Sequence, residues 1–151
     1  EACGIPVPGN FAGRSFLPLL QNGDYEPNEC IFAEKIYHDT YEPVRAVRTR
    51  RYKYIRRFEV ALMEDVRAAT FTRAQWMHQT MRRNDEELYD LEADPWETNN
   101  LALDSAHADE LEAMQRRLIR WMRRTNDPLL QGPVPSPYYA HRLDQLKSMG
   151  E

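Results

Sequence analysis

A chain of 151 residues is long enough to form one domain that buries a core without disulfides or a structural metal. Hydrophobic residues at 42% and charged residues at 29% exclude a disordered chain, and no apolar run approaches the roughly 20 residues that a membrane-spanning helix needs. The net charge is −4, yet seven of the thirteen residues from Arg45 to Arg57 are basic; with no reader motif beside them, nucleic acid is not an expected partner.

The chain opens on Glu1-Ala2-Cys3-Gly4-Ile5, with neither an initiator Met nor a basic-then-apolar leader. This wording reads like the end of a helix stopped by Gly4 and Pro6, so the start is expected to lie inside a longer protein. The cysteines, Cys3 and Cys30, lack metal-ligand spacing and are too few for a disulfide framework; both read as small apolar residues. Pro6 to Pro27 is dense in turn formers around the apolar knot Phe16-Leu17 and Leu19-Leu20, which predicts an irregular connection. Cys30 to Tyr37 has the β-branched and aromatic content of a strand. Val44 to Thr49 and Tyr52 to Phe58 predict an antiparallel hairpin, with Tyr52, Tyr54 and Arg56 on one face of its second strand and Lys53, Ile55 and Arg57 on the other. Val60 to Arg83 has helix-like wording with a poor apolar period.

Leu88 to Leu91 predicts a short strand, ended by the turn chemistry of Glu92 to Pro95. Leu111, Met114, Leu118, Trp121 and Met122 then form one apolar stripe on a helix from about Ser105 to Arg124. Asp109, Glu110 and Glu112 open that helix and Arg120, Arg123 and Arg124 close it, as the helix dipole prefers. Asp104 or Ser105 is expected to cap its start, and Asn126 with Pro128 to mark its stop. Beyond it the chain is proline-rich, and Ala140 to Glu151 reads as a polar tail. The predicted fold class is α+β, a small antiparallel sheet of about four strands packed against one long helix.

Four segments in one order carry a family resemblance. Glu87-Leu88-Tyr89-Asp90-Leu91, Asp94-Pro95, Glu97-Thr98 and Asn100-Leu101-Ala102 together resemble the C-terminal subdomain of the sulfatases, and the sulfoglucosamine sulfohydrolase (sulfamidase)-like branch in particular. Gly13-Arg14-Ser15-Phe16-Leu17-Pro18-Leu19-Leu20 is similar to that family's linker between core and C-terminal sheet. Arg45 to Thr49 with Arg51 to Ile55 is similar to its central hairpin, and Trp121-Met122, Thr125 and Asp127-Pro128 to the exit from its long helix; Thr70-Phe71 also finds a counterpart in that branch. The resemblance implies a C-terminal subdomain of the alkaline-phosphatase-like sulfatase fold. Residues 1–27 would be the end of the core and a linker, residues 28–130 the subdomain, and residues 131–151 a proline-rich tail.

What the resemblance implies about chemistry lies largely outside this chain. Family sulfatases hydrolyse a sulfate ester or sulfamate with a formylglycine made within a C/S-x-P-x-R motif and a calcium ion. Cys3-Gly4-Ile5-Pro6 has its proline one place late, Cys30-Ile31-Phe32 lacks the motif, and no Asp-Asp pair is present. The chain by itself is therefore expected to be inert, with no catalytic residue, metal ligand or cofactor of its own. Its implied partners are the N-terminal core of the same protein and a sulfated sugar of glycosaminoglycan type, and the family's usual settings are lysosomal, periplasmic or secreted. Substrate-binding candidates are His38, Glu34 and Tyr41 around the end of the first strand. A His there can hydrogen-bond a sugar hydroxyl or carry a proton at acidic pH. Arg45 and Arg48 are expected to share a strand face and meet a sulfate or carboxylate bidentately. Asp90, Asp94, Glu97 and Asn100 suit turn and cap roles better than a metal site, because their spacing is not that of a calcium loop. His78 and His107 have no partners at ligand spacing and read as surface residues. Two rival readings are a stand-alone module binding sulfated polysaccharide through the Arg45 to Arg57 face, and a purely structural segment.

Overall fold

The structure, a computed structural model, describes residues 2–9, 11, 13–37, 41–59 and 85–149. His38, the helix-like stretch from Val60 to Arg83, Thr70-Phe71 and His78 lie outside the described residues. One helical turn, α1 (Leu17–Leu20), sits within the proline-rich connection. Four strands follow, β1 (Ile31–Tyr37), β2 (Tyr41–Arg48), β3 (Tyr52–Arg57) and β4 (Glu86–Asp90), and then the long helix α2 (Ala108–Arg124). A last helix, α3 (Pro137–Ser148), lies where the sequence reads as a polar tail. Its start is set by Ser136, whose hydroxyl accepts from Tyr139 N–H, and by Pro137 in the first turn.

The strands form one antiparallel sheet in the order β1-β2-β3-β4, so every neighbour in sequence is a neighbour in space. Hairpins need only short turns, and Thr49 closes the one between β2 and β3 by accepting Tyr52 N–H at its hydroxyl. β2 starts three residues earlier than the sequence predicts. Pro43 lacks an N–H and reads as a strand end, but a register shift between Lys35 and Tyr37 inserts one extra residue into β2 there, and a bulge accommodates proline. β4 likewise starts two residues early, because Glu86 and Glu87 pair with Arg56 and Ile55 of β3.

Alternation along the strands decides what faces the helix. Val47, Tyr54 and Leu88 share one face of the sheet, and Met114, Leu118 and Met122 of α2 are buried against it. The period of about 3.6 keeps those three side chains on one stripe, each contributing roughly 1.5–3 kcal/mol by burial. Phe32 at the β1 edge stacks on Trp121, with centroids 4.8 Å apart and planes 5° from parallel. Asp104 caps the start of the helical run by accepting Ala106 N–H, and one 3₁₀ turn (Ser105–His107) precedes α2 proper. The architecture is α+β, a four-stranded antiparallel sheet packed on one long helix.

Candidate functional site

Arg45 lies on the helix-facing side of β2, between Pro43 and Val47, and none of its surface is exposed. Its Nε donates to Asp127 Oδ2 at 2.6 Å and its Nη2 to Asp127 Oδ1 at 2.9 Å, a bidentate pair across 82 residues of sequence. Nη1 donates to the carbonyls of Lys35 and Val44. Burial pushes the Asp127 carboxyl up, but the Arg45 guanidinium and the Leu129 N–H outweigh it and hold the pKa below the usual carboxylate range. Arg45 therefore anchors the exit of α2 to the sheet, with both arms of its fork on one carboxylate.

Arg45 and Arg48 do not share a face. Residues three apart in a strand point to opposite sides, and Arg48 is exposed at the end of β2 while Arg45 is buried. Glu34 pairs with Arg45 across the β1–β2 ladder, and its side chain is 63% exposed with one oxygen 3.7 Å from Arg45 Nε. Tyr41 stands beside Tyr37, with ring centroids 5.1 Å apart. Tyr37 donates its hydroxyl to the Val134 carbonyl, and the Tyr41 hydroxyl accepts Val134 N–H, so the two tyrosines clasp the backbone of one residue beyond α2. The structure thus brings Glu34 and Arg45 together at the middle of the β1–β2 ladder and Tyr41 to its end, and leaves Arg48 at the opposite end.

Arg48 belongs to a different gathering of charge. With Arg50, Ile31 and Thr49 it lines a groove of about 340 Å³ whose wall includes Asn28, Glu29 and Cys30. The same three residues line a second groove of about 630 Å³, together with Phe32, Trp121, Arg14 and three arginines of α2, Arg117, Arg120 and Arg124. None of these four arginines was singled out from sequence for binding. The readable signal was the spacing 117, 120, 121, 124, which places three guanidinium groups and one indole on a single face of a helix.

No protein-family model matches the chain. The chain is 30% identical, over 91% of its length, to an ulvan-active sulfatase of Formosa agariphila, covering 29% of that protein. It is 26% identical, over 82% of its length, to the N-sulphoglucosamine sulphohydrolase of Homo sapiens, covering 28% of it. The solved structure of a 2-O GAG sulfatase superposes with a TM-score of 0.66 at 28% identity, across 88% of this chain and 24% of that one. The chain matches the C-terminal part of sulfatases. It spans less than a third of the length of the curated relatives it matches.

Among the described residues, the side chains that invite a metal reading are occupied by the fold. Asp90 takes the Arg51 guanidinium at 2.8 Å and the N–H of Glu92, and the Arg51 hydrogen bond is the main cause of its lowered pKa. Asp94 accepts from the N–H groups of Asn99 and Thr98, which lower its pKa and tighten the turn after Pro95. Glu97 pairs with Lys53. Asn100 accepts Leu88 N–H and Ala102 N–H at its side-chain oxygen and donates to the Glu86 carbonyl, so it splices the loop onto β4. Among the described residues no three His, Cys, Asp or Glu side chains are grouped to hold a metal, so the donor set of the described residues does not fit the calcium of the family. His107 sits against Asp104 at 3.1 Å, a local cap contact.

Proposed function

We propose that this chain serves as the C-terminal part of a sulfatase that removes sulfate from a sulfated carbohydrate of glycosaminoglycan type, supplying scaffold and substrate choice rather than the bond-breaking groups. The observation that carries the reading is the superposition on a 2-O GAG sulfatase, across 88% of this chain but only 24% of that one. The names of the relatives, an ulvan-active sulfatase and an N-sulphoglucosamine sulphohydrolase, support a sulfated carbohydrate as the substrate class. In this reading residues 1–27 join the segment to a catalytic core, residues 28–130 form the subdomain and residues 131–151 close it. The formylglycine and calcium of the family belong to the core, and the core is the segment's first partner.

The chemistry left to this segment is positioning. Glu34, with its exposed carboxylate on the β1–β2 ladder, accepts hydrogen bonds from sugar hydroxyls, and Arg45 acts through it by holding that ladder to the helix exit. Tyr41 acts by clasping Val134, and His38 is the titratable group of the same connection in sequence. The test is sulfate release by the complete protein, core included, and by the 151-residue chain alone. Release from a sulfated saccharide is expected from the first and none from the second. No release by the complete protein from any sulfated sugar, or release by the chain alone, would overturn the reading. For specificity, His38→Ala in the complete protein is expected to slow turnover of the sugar at least tenfold more than that of a small aryl sulfate. Equal losses on both substrates would remove His38 from substrate choice.

A further inference from the structure

The basic residues of this molecule fall into two populations. Most of those in and beside the sheet are matched by carboxylates: Lys35 and Arg57 with Glu42, Arg57 also with Glu87, Arg51 with Asp90 and Arg56 with Glu86. Those lining the two adjoining grooves are not. Among the described residues, Arg48, Arg50, Arg117 and Arg124 have no carboxylate within ion-pair distance, and Arg120 reaches only the backbone carbonyl of Arg116. Arg14 has a single exposed partner, Glu26, at 3.5 Å.

Helix physics calls for only part of that arrangement, since the dipole accounts for the cations of the last turn and not for the rest of the row. Arg116, Arg120 and Arg124 stand at successive i, i+4 positions, where like charges oppose one another and weaken the helix. Two cations in the last turn satisfy the dipole, and Arg123 with Arg124 already supply them. The excess charge is placed around an aromatic platform, the Phe32–Trp121 stack, which lines the larger groove. Flat apolar surface flanked by guanidinium groups is a chemically specific combination. The apolar face of a sugar ring rests on the first, and planar two-point hydrogen bonding of the second matches a sulfate group.

We propose that the two grooves form one continuous track for a sulfated polysaccharide chain. The grooves share Asn28, Glu29 and Cys30 in their walls, so the six arginines are spread over two spaces of about 630 and 340 Å³ rather than gathered on one point. A single small anion uses one or two of them; a polymer with repeated sulfates uses the row. Glu29, on the shared wall, accepts a hydrogen bond from a sugar hydroxyl, a donor that the carboxylate side chains of an acidic peptide lack. The ligand class rests on the sulfated-carbohydrate reading above, while the site rests on the charge and the platform. By holding part of the polymer, the track raises the local concentration of the remainder at the protein.

The experiment is titration of the 151-residue chain with heparin, desulfated heparin and poly-glutamate, followed calorimetrically at several salt concentrations. Heparin is expected to bind with an affinity that falls steeply with salt, and desulfated heparin to bind at least tenfold more weakly. Combining Arg117→Gln, Arg120→Gln and Arg124→Gln is expected to weaken heparin binding about tenfold or more and to flatten the salt dependence. Arg48→Gln with Arg50→Gln acts in the same direction, by about threefold. The charge-matched control, Arg116→Gln, Arg123→Gln and Arg142→Gln, lies outside the grooves and should change binding less than twofold. Because removal of like charges relieves the helix, the variants are expected to keep the wild-type circular dichroism spectrum. No heparin binding at low salt, equal losses in the control, or poly-glutamate binding as tightly as heparin would each overturn the proposal. Heparin binding that fails while the complete protein still releases sulfate defeats only the track, and the reverse defeats only the sulfatase reading.

Discussion

Arg45 shows what one residue can be mistaken for. In sequence it is the first cation of a basic stretch, and its neighbours invite an anion from outside. In the fold it is fully buried and its anion is Asp127, a side chain only 1% exposed. Alternation places Arg45 and Arg48 on opposite faces, and that much is legible in the strand itself. The partner 82 residues away is not, since nothing local connects them. A buried ion pair is held together mainly by the cost of breaking it. Asp127→Ala is expected to lower stability by about 3–5 kcal/mol in urea unfolding, because it leaves a guanidinium buried without its carboxylate. The double replacement Arg45→Met with Asp127→Leu should cost less than either single change. A loss under about 1 kcal/mol for Asp127→Ala would show that water reaches the site and that the anchor is not needed.

At the level of elements, the long helix was the most readable part of the chain. Its apolar stripe, its acidic start and its Asp104 cap are local features with local causes, and the structure places them as the pattern predicts. The exit is equally local. Asn126 takes φ of 52°, and the N–H of Asp127 bonds to the Met122 carbonyl at 2.9 Å, the reverse turn by which helices commonly end. Asn tolerates this left-handed backbone better than other residues with a Cβ, and Asp127 is delivered to Arg45 by the same turn. Asn126→Ala is thus expected to cost about 1 kcal/mol, and Asn126→Gly to be neutral or stabilising. Thermal unfolding of the two variants checks this; a more damaging Gly than Ala would mean that the Asn side chain, not the backbone, matters. The helix of residues Pro137–Ser148 was missed because it carries no strong apolar stripe, and only Ser136 and Pro137 mark its start.

The whole molecule is a sheet with two unlike faces. One face carries the apolar core, with Arg45 buried at its end, and packs on α2. The other carries a ladder of charge: Lys35, Glu42, Arg57 and Glu87 in sequence across the strands, with Tyr89 donating to Glu87 and its own pKa pushed up to about 12 by burial and by that carboxylate. Glu86 ties the helix-facing side of the sheet to α2 at the edge, accepting from Tyr54, Gln115 and Arg56; burial pushes its pKa up, and these partners bring it below the usual value. Among the described residues Glu86, Asp90, Asp94, Asp104 and Asp127 all titrate lower in the fold than in a free chain. A carboxyl with a depressed folded pKa adds stability that is complete above its unfolded value, about 3.9 for Asp and 4.3 for Glu, and that is lost as pH falls through the folded value. The melting temperature is therefore expected to be flat from pH 7 to about 5 and to drop steeply from about pH 4 downward. In Asp127→Asn the drop should be shallower, because one protonation is already mimicked. An acid profile that runs parallel in the two proteins would remove Asp127 from the set.

Sequence by itself determined the parts whose causes are local: strand alternation, the helix stripe, the caps, the Asp94 to Asn100 turn, and the family wording that points to the C-terminal part of sulfatases. The fold class followed from the order of those parts, since short turns leave antiparallel neighbours as the easiest pairing. Tertiary structure alone decided which charges are spent and which remain available. Arg45 found Asp127, while Arg14, Arg48, Arg50, Arg117, Arg120 and Arg124 were gathered from three separate stretches into adjoining grooves. Charge in a sequence has a sign but no address, and only packing assigns each cation its nearest neighbour.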